Sequence, residues 1–563
     1  MNSIVSYISK YLPGQTHRSL SHCRLKPFRR HFYPSCNPRS KHHGLWINDQ
    51  SRPALKGLTH TLQNPATRKD LGHVVSIAEA QDIDVAVEAA ESSFHSGVWS
   101  RETDVKGRSK VLLNMAHGLE KRLPELSRLE SLQTGRPLRE MRAQLSRLPE
   151  WFEYFAALVR TEEGSLPPFP GPYLNYVRRV PLGVCALLTP WNHPLLIAVK
   201  KLAPALAGGN SVVLKPPELA PLAVLALGEI ARDAGLPPGV LNIVPGQGKV
   251  AGRALAAHPR VRKVDLTGGT DTGRMTACVA GKNLAKVVAE LGGKTPMLVF
   301  PDVDVDEAVN MCAFGAFVAA GQTCVSGSRL LVHESIFDDF AARFAAKAQG
   351  LRLGDPLHLE TDVGPLISRA QLERVHGFVE RAKTKGAKVL CGGLGSIASS
   401  PSSSPTTPTP TPVRGASPLQ SLPRHLASGF FYPPTALTSV HPDMEIMQEE
   451  VFGPVVCLLP FASESEAVAL ANRSPYGLGA SVHTKCGRRA HRVADSLQAG
   501  VIWLNEHHRN APASPWGGVT AASGLGRENG REAWMDYTQS KSVVVGYAEG
   551  AFDWFSQRGA RYG

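Results

Sequence analysis

From about residue 183 onward the chain alternates short β-branched runs with longer stretches of helical spacing, and this alternation limits the fold more than any other feature. "GVCALLT" reads as a strand, and the segment after Pro194 reads as a helix ending at Gly208-Gly209. "SVVLK" is the next strand, residues 220–234 the next helix, and "VLNIV" a strand after the turn Pro237-Pro238-Gly239. Residues 247–257 read as helical, and "VRKVDLT" leads through a glycine-containing turn into a further helix. Strands separated by helices of this length predict βαβ units and a parallel sheet covered on both faces. Beyond residue 290 the pattern resumes with "PMLVF", a helix from about 304, "RLLVH" and a helix after Glu334. Asp304, Asp306 and Glu307 open the first of these helices, where the dipole favours anions. The expected class is therefore α/β, with two α/β domains and a cleft between them. Before residue 160 the chain is largely helical, as the spacing in "RSKVLLNMAHGLEKRLPELSRLESLQ" indicates. At 563 residues it is too long for a single core.

Other classes are excluded in turn. The apolar run "GVCALLTPWNHPLLIAVKKLAPALAGG" is interrupted by Pro190, Pro194, Lys200, Lys201 and Pro204, so it is no membrane span. The net charge is +14, but residues 1–45 hold eight Lys or Arg and no acid. The remainder carries 54 basic against 48 acidic residues, which gives no reason to expect a nucleic-acid partner. That acid-free segment, rich in Arg, Ser and His, reads either as a mitochondrial presequence or as a basic extension of a cytoplasmic protein. Nine cysteines without regular spacing or a CxxC pair form neither a disulfide framework nor a zinc site. Residues 395–428, with "SIASSPSSSPTTPTPTP", have almost no large apolar groups and read as a disordered surface insertion.

Several short stretches carry chemistry. The turn "TGGTDTG", residues 267–273, stands between a strand and a helix. Free N–H groups and the helix dipole favour a phosphate there, although glycines also suit any tight turn. In "VVLKPPE", Lys215 and Glu218 follow a strand, at the end of a parallel sheet where nucleotides bind. Both can hydrogen-bond ribose hydroxyls, and the carboxylate repels a 2′-phosphate, which favours NAD over NADP; two solvated charges are the plain alternative. "VAELGGK" puts Glu290 at the end of an apolar strand, where desolvation gives the raised pKa a general base needs. In "AAGQTCVSGSR", Cys324 is surrounded by small residues, as an accessible nucleophile must be. A free thiol is only a few per cent thiolate at neutral pH, so the site must lower its pKa or supply a base. "TPWNHP" offers the Asn192 amide as a donor to an oxyanion.

In order, "TPWNHP", "LKPPE", "TGGTDTG", "ELGGK", "GQTCVSGSR", "EEVFGP" and the closing "PWGG", "SGLGRENG" and "YTQSKSV" resemble the aldehyde dehydrogenase superfamily, in particular its NAD(P)-dependent, non-acylating, betaine and general aldehyde dehydrogenases. The resemblance spans roughly residues 46–547 apart from the insertion. It implies Cys324 as nucleophile, Glu290 as general base and Asn192 as oxyanion donor. It further implies Lys215 and Glu218 against the adenosine ribose, Gly268, Gly269, Thr270, Asp271, Thr272 and Gly273 as the pyrophosphate turn, and Glu450 and Phe452 on the nicotinamide-ribose side. The implied reaction oxidises an aldehyde to its acid through a thiohemiacetal and a thioester on Cys324. A CoA-acylating relative would not need Glu290.

The implied layout is a Rossmann-type NAD-binding domain (46–158 and 182–292), an α/β catalytic domain (293–534), and a small β oligomerisation element with the C-terminal tail (159–181 and 535–563). Residues 1–45 precede these as a basic extension and candidate transit peptide. A homodimer or homotetramer is expected. The sequence departs from the common pattern at four places. His193 and Lys200 stand where aromatics are frequent, Gly269 replaces a frequent Ser, and "PWGGVTAASG" carries one residue more than usual and lacks the usual Lys.

Overall fold

The computed structural model describes residues 40–393, 422–548 and 555. The basic segment up to residue 39 and most of the Ser/Pro/Thr-rich insertion, residues 394–421, lie outside the described residues. So do 549–554 and 556–563 of the C-terminal tail.

An eight-stranded sheet carries the first half of the chain. Its order is Gly524–Leu525, Lys286–Glu290, Val261–Thr267, Val184–Leu188, Ser211–Lys215, Leu241–Ile243, Leu45–Ile47 and Gln50–Arg52. The five central strands run parallel, and the pairs at both ends are antiparallel. Alternate residues of each central strand face opposite helical layers. Cys185, Leu187, Val212 and Leu214 pack with helices Val105–Thr134, Pro149–Thr161, Pro194–Ala207 and Leu222–Asp233. Val184, Ala186, Leu188 and Val213 pack on the other side with helix Ala80–Ser96 and with Leu255, Ala256 and Ala280. This two-sided burial is why these strands read as continuous apolar runs. Each fully buried Leu or Val contributes about 1.5–3 kcal/mol.

A seven-stranded sheet carries the second half, in the order Lys388–Cys391, Thr435–Thr438, Val455–Phe461, Gly327–His333, Thr295–Val299, Gly479–His483 and Val501–Leu504. All its pairs are parallel except the first. Helices Val305–Phe317, Glu334–Gln349 and Arg369–Thr384 contribute to its core. Asp304 caps the first of them by accepting a hydrogen bond from the Glu307 N–H at 3.0 Å.

Two readings need adjusting. Residues 247–257 are not one helix: a π-turn, Gly248–Gly252, precedes the short helix Arg253–Ala257, two glycines having weakened the i+4 ladder. Residues 422–428, expected within the disordered insertion, are ordered: Arg424–Leu426 forms a turn, and Leu426 is buried beside Ala66, Leu353 and Phe431. A leucine supplies the apolar anchor that the Ser/Pro/Thr run lacks.

Strand Tyr173–Pro181 pairs antiparallel with Thr538–Gly546 in a separate two-stranded ribbon. Residues 159–161 still belong to the preceding helix. Among the described residues no helix is long and apolar enough to cross a membrane.

Candidate active site

Strand register brings the chemistry to one edge. Leu188 pairs with Lys215 and with Leu266, and Thr267 pairs with Glu290, so four of the five central strands end level. Their C-terminal ends present Lys215, Thr267, Glu290 and the loop that carries Asn192 and His193. This is the edge at which open parallel sheets bind ligands.

Cys324 comes from the other half. Helix Val305–Phe317 ends abruptly, and Ala319 (φ 55°), Ala320 (φ 52°) and Gly321 (φ 67°) all take left-handed backbone. Such strain persists only where surrounding structure enforces it. Here a side chain on Gly321 would meet the Gly453 carbonyl at 2.1 Å, so the turn is pressed against residues 453–454. The turn throws Cys324 off the helix into a cavity of about 230 Å³, which Glu290, Lys200, Thr267, Trp516 and Glu528 also line. The Cys324 carbonyl lies directly over Gly293, where a Cβ would stand 2.1 Å from its oxygen. The two glycines after Glu290 are thus what allow the carboxylate strand and the thiol turn to meet. Cys185, Cys312, Cys391 and Cys457 are buried away from this cavity; of the described cysteines Cys324 alone lines it, half-buried.

Asn192 is buried beside the cavity rather than lining it. Its Nδ2 donates to the Gln322 carbonyl at 2.9 Å, two residues before Cys324. An amide has a second N–H to donate. Arg136 supports this loop: its guanidinium pairs with Glu140, reaches Gln144 Oε1 at 2.8 Å and the Asn192 carbonyl at 3.4 Å, and lies 2.5 Å from His193 Nδ1. Burial, with Arg136 beside it, holds His193 neutral well below the usual histidine range.

The two carboxylates at the cavity titrate apart. Neither oxygen of Glu290 has a hydrogen-bond partner. Burial, reinforced by the charge of Glu528, raises its pKa well above the carboxylate range, and Lys200 and Lys201 oppose the rise. Glu528 is equally enclosed, but Lys200 lies 2.7 Å from Oε2 and Lys201 lies 2.6 Å from Oε1. Against burial, these ammonium groups hold Glu528 down to about 2. Lys201 also pairs with Asp265, which accepts from the Tyr537 hydroxyl at 2.5 Å. Two carboxyls in unlike surroundings, one shifted down and the other up, are suited to separate acid–base roles. Burial, then Glu450 and Glu290, pushes the Cys324 thiol up to about 12. The site therefore does not lower the thiol pKa.

The residues expected to hold a dinucleotide lie along the same edge. Helix Thr270–Gly281 starts at Gly269 without a side-chain cap, and nothing lies within 4 Å of where a Gly269 Cβ would stand. Free N–H groups facing open space suit a pyrophosphate. A side chain on Gly273 would meet Leu291 at 2.4 Å, so that glycine serves close helix–strand packing. Thr270 Oγ1 donates to the Ala522 carbonyl at 2.7 Å, while Asp271 pairs with Arg274 at 3.1 Å and Thr272 is exposed. Gly268 N–H donates to the Glu290 carbonyl at 3.0 Å and ties the turn to the base strand. Lys215 donates to the Pro216 carbonyl at 2.8 Å; burial lowers it to about 8, against the pull of Glu218. Glu218 Oε2 accepts from the Gly248 N–H at 3.1 Å. Glu450 Oε1 accepts from the Gly293 N–H at 3.0 Å, and burial pushes it up to about 7. Phe452 (φ 59°) meets Trp191 edge-on at 5.3 Å between centroids. This donor set fits a ribose–pyrophosphate ligand.

Sequence reasoning missed the buried network of Lys201, Asp265, Glu528 and Tyr537, and it missed Arg136. One signal was present: two lysines inside the apolar helix "PLLIAVKKLAPALA" require buried anions, because an unpaired charge there is prohibitively costly. Their identity was not readable, since Glu528 lies 327 residues further along the chain.

Comparison with known proteins agrees with this geometry. The family model described as "Aldehyde dehydrogenase family" matches residues 56–418 and 411–543. Betaine aldehyde dehydrogenase 1 of Oryza sativa is 38 % identical over 529 residues, covering 93 % of this chain and 98 % of the relative. The peroxisomal aminoaldehyde dehydrogenase 2 of Pisum sativum is 38 % identical over 519 residues, covering 91 % and 97 %. Among solved structures, betaine aldehyde dehydrogenase from Staphylococcus aureus in complex with NAD+ superposes with a TM-score of 0.84 at 34 % identity, covering 92 % of this chain and 97 % of that one.

Proposed function

The chain belongs to the aldehyde dehydrogenase family and oxidises an aldehyde to its carboxylic acid with NAD, and from that premise we propose how its own residues divide the work. Cys324 Sγ attacks the aldehyde carbon as the thiolate, its proton having passed to solvent. The Asn192 amide and the Cys324 backbone N–H hold the oxyanion of the thiohemiacetal. Bound NAD supplies the hydride acceptor. Glu290 then activates the water that releases the acid from the Cys324 thioester. Glu528, fixed by Lys200 and Lys201, stays anionic beside it and keeps Glu290 basic.

The observation that carries this reading is that Cys324 and Glu290, a carboxyl whose pKa burial raises, line one cavity at the C-terminal edge of the parallel sheet. NADH formation with a panel of aldehydes, with and without CoA, tests it. Acid release without CoA is expected, and a CoA requirement would refute the role of Glu290 in hydrolysis.

We assign the cofactor contacts as the resemblance implies: Lys215 and Glu218 to the adenosine ribose, residues 268–273 to the pyrophosphate, and Glu450 with Phe452 to the nicotinamide ribose. The domain division given from the sequence goes with this assignment. The ribbon of Tyr173–Pro181 and Thr538–Gly546 exposes Leu174, Tyr176 and Val545 on one face and Val544 on the other, apolar surface that a second copy of the chain would cover. Sedimentation of a variant with these four changed to Ser tests this dimer or tetramer contact. A mitochondrial destination finds no support among the named relatives, one of which is peroxisomal and another, from Arabidopsis thaliana, chloroplastic; a cytoplasmic location is the alternative. The names of the relatives put cationic aldehydes on any substrate panel.

A further inference from the structure

The next inference rests on the aldehyde-oxidising reading of this cavity and concerns which aldehydes it admits. Helix Pro194–Ala207 sets two lysines side by side. Lys201 is fully enclosed by its carboxylate partners. Lys200 lines the cavity, with its Nζ 4.7 Å from the centre of the Trp516 ring, another lining residue. A cation within about 6 Å of an indole face is attracted by the ring quadrupole, and such faces are how quaternary ammonium ligands are usually bound. Here the chain's own ammonium already covers that face.

The rest of the lining has the same sign. Arg136, Arg147 and Arg509 also border the cavity. The acids that pair with Arg147 and Arg509, Glu150 and Glu506, lie off the lining. Three acids, Glu140, Glu290 and Glu528, face these four cations on the lining, and burial disfavours the charged form of Glu290. The charge of Lys200 acts on both Cys324 and Glu290.

We propose that Lys200 is a specificity-determining residue that turns this cavity against cationic aldehydes and toward aldehydes bearing a carboxylate, that is, oxo acids. A substrate ammonium would have to displace Lys200 from Trp516 or stand beside it desolvated. A substrate carboxylate would be the second anion on an ammonium that Glu528 engages through one oxygen.

The experiment is a matched panel. Betaine aldehyde is compared with its neutral isostere 3,3-dimethylbutanal, and 4-oxobutanoate with its amide, for the full-length enzyme and its Lys200→Met and Lys200→Arg variants. For the wild type, kcat/KM is expected to be about tenfold or more lower for betaine aldehyde than for its isostere, and about tenfold or more higher for 4-oxobutanoate than for its amide. Lys200→Met should shrink both ratios toward unity, while Lys200→Arg preserves them. Betaine aldehyde used as well as its isostere, or ratios unmoved by Lys200→Met, would overturn the proposal. Should Lys200→Met not fold, the wild-type ratios decide. Oxidation of the neutral aldehydes with the opposite charge preference defeats this inference alone, whereas no oxidation of any aldehyde defeats the functional reading beneath it.

Discussion

Glu528 Oε1 stands 2.6 Å from Lys201 Nζ, and neither side chain reaches solvent. This pair, with Lys200 on the other carboxylate oxygen, fixes one negative charge next to a carboxyl that has no partner of its own. Burial raises the pKa of Glu290, and the charge of Glu528 raises it further.

Changing Glu528 to Gln should therefore move the pH–rate profile. The neighbouring negative charge disappears while both ammonium groups remain, and each of these changes lowers the pKa of Glu290. The acidic limb of kcat/KM against pH should shift to lower pH, with the maximal rate reduced. An unmoved limb would separate Glu528 from the base.

Cys324→Ala should abolish turnover, by about 10³-fold or more, since removing a nucleophile leaves only binding and electrostatic terms. NAD binding, followed by titration calorimetry, should survive because no cofactor contact assigned above involves the thiol.

Glu290→Gln should still give a burst of NADH in stopped flow and then stall at the thioester, since hydride transfer precedes the hydrolytic step. The same variant has a stability signature. Glu290 holds its proton above the ordinary carboxylate range when folded, so the folded chain binds more protons than the unfolded one there, and stability falls as pH rises through that window. The variant should therefore gain thermal stability relative to wild type more at about pH 8 than at about pH 5. A pH-independent difference in Tm would contradict the raised pKa.

Asn192→Ala should lower kcat/KM by about 10²–10³-fold, the usual effect of removing one oxyanion donor. Because the same amide also bonds the Gln322 carbonyl, thermal melts should accompany the kinetics. A fall in rate with unchanged melting assigns the loss to the transition state.

Glu218→Gln should raise kcat/KM for NADP relative to NAD by about tenfold, since it removes a charge that a 2′-phosphate would face. An unchanged ratio would place Glu218 away from the ribose.

Much of this was legible because local rules and tertiary demands coincide. The runs "GVCALLT", "SVVLK" and "VRKVDLT" are apolar on both faces, which only a strand between two helical layers requires. The chemistry falls at strand ends, and a parallel sheet aligns those ends; hence Lys215, Glu290 and the turn after Thr267 were located from spacing alone. Cys324 and Asn192 were found through the company they keep in their motifs.

What the chain order could not reveal is what distant segments do to one another's charge. Nothing local says that Glu528 meets the lysines of a helix 327 residues earlier, that Trp516 lies under Lys200, or that Asn192 spends one amide hydrogen on the turn before Cys324. The sequence by itself determined the strands, the helices and the kinds of reactive group, because periodicity and residue chemistry are local. Only the tertiary structure decided which carboxyl is ionised, which ammonium faces the cavity and how high the thiol titrates, because burial and Coulomb interactions depend on separation in space.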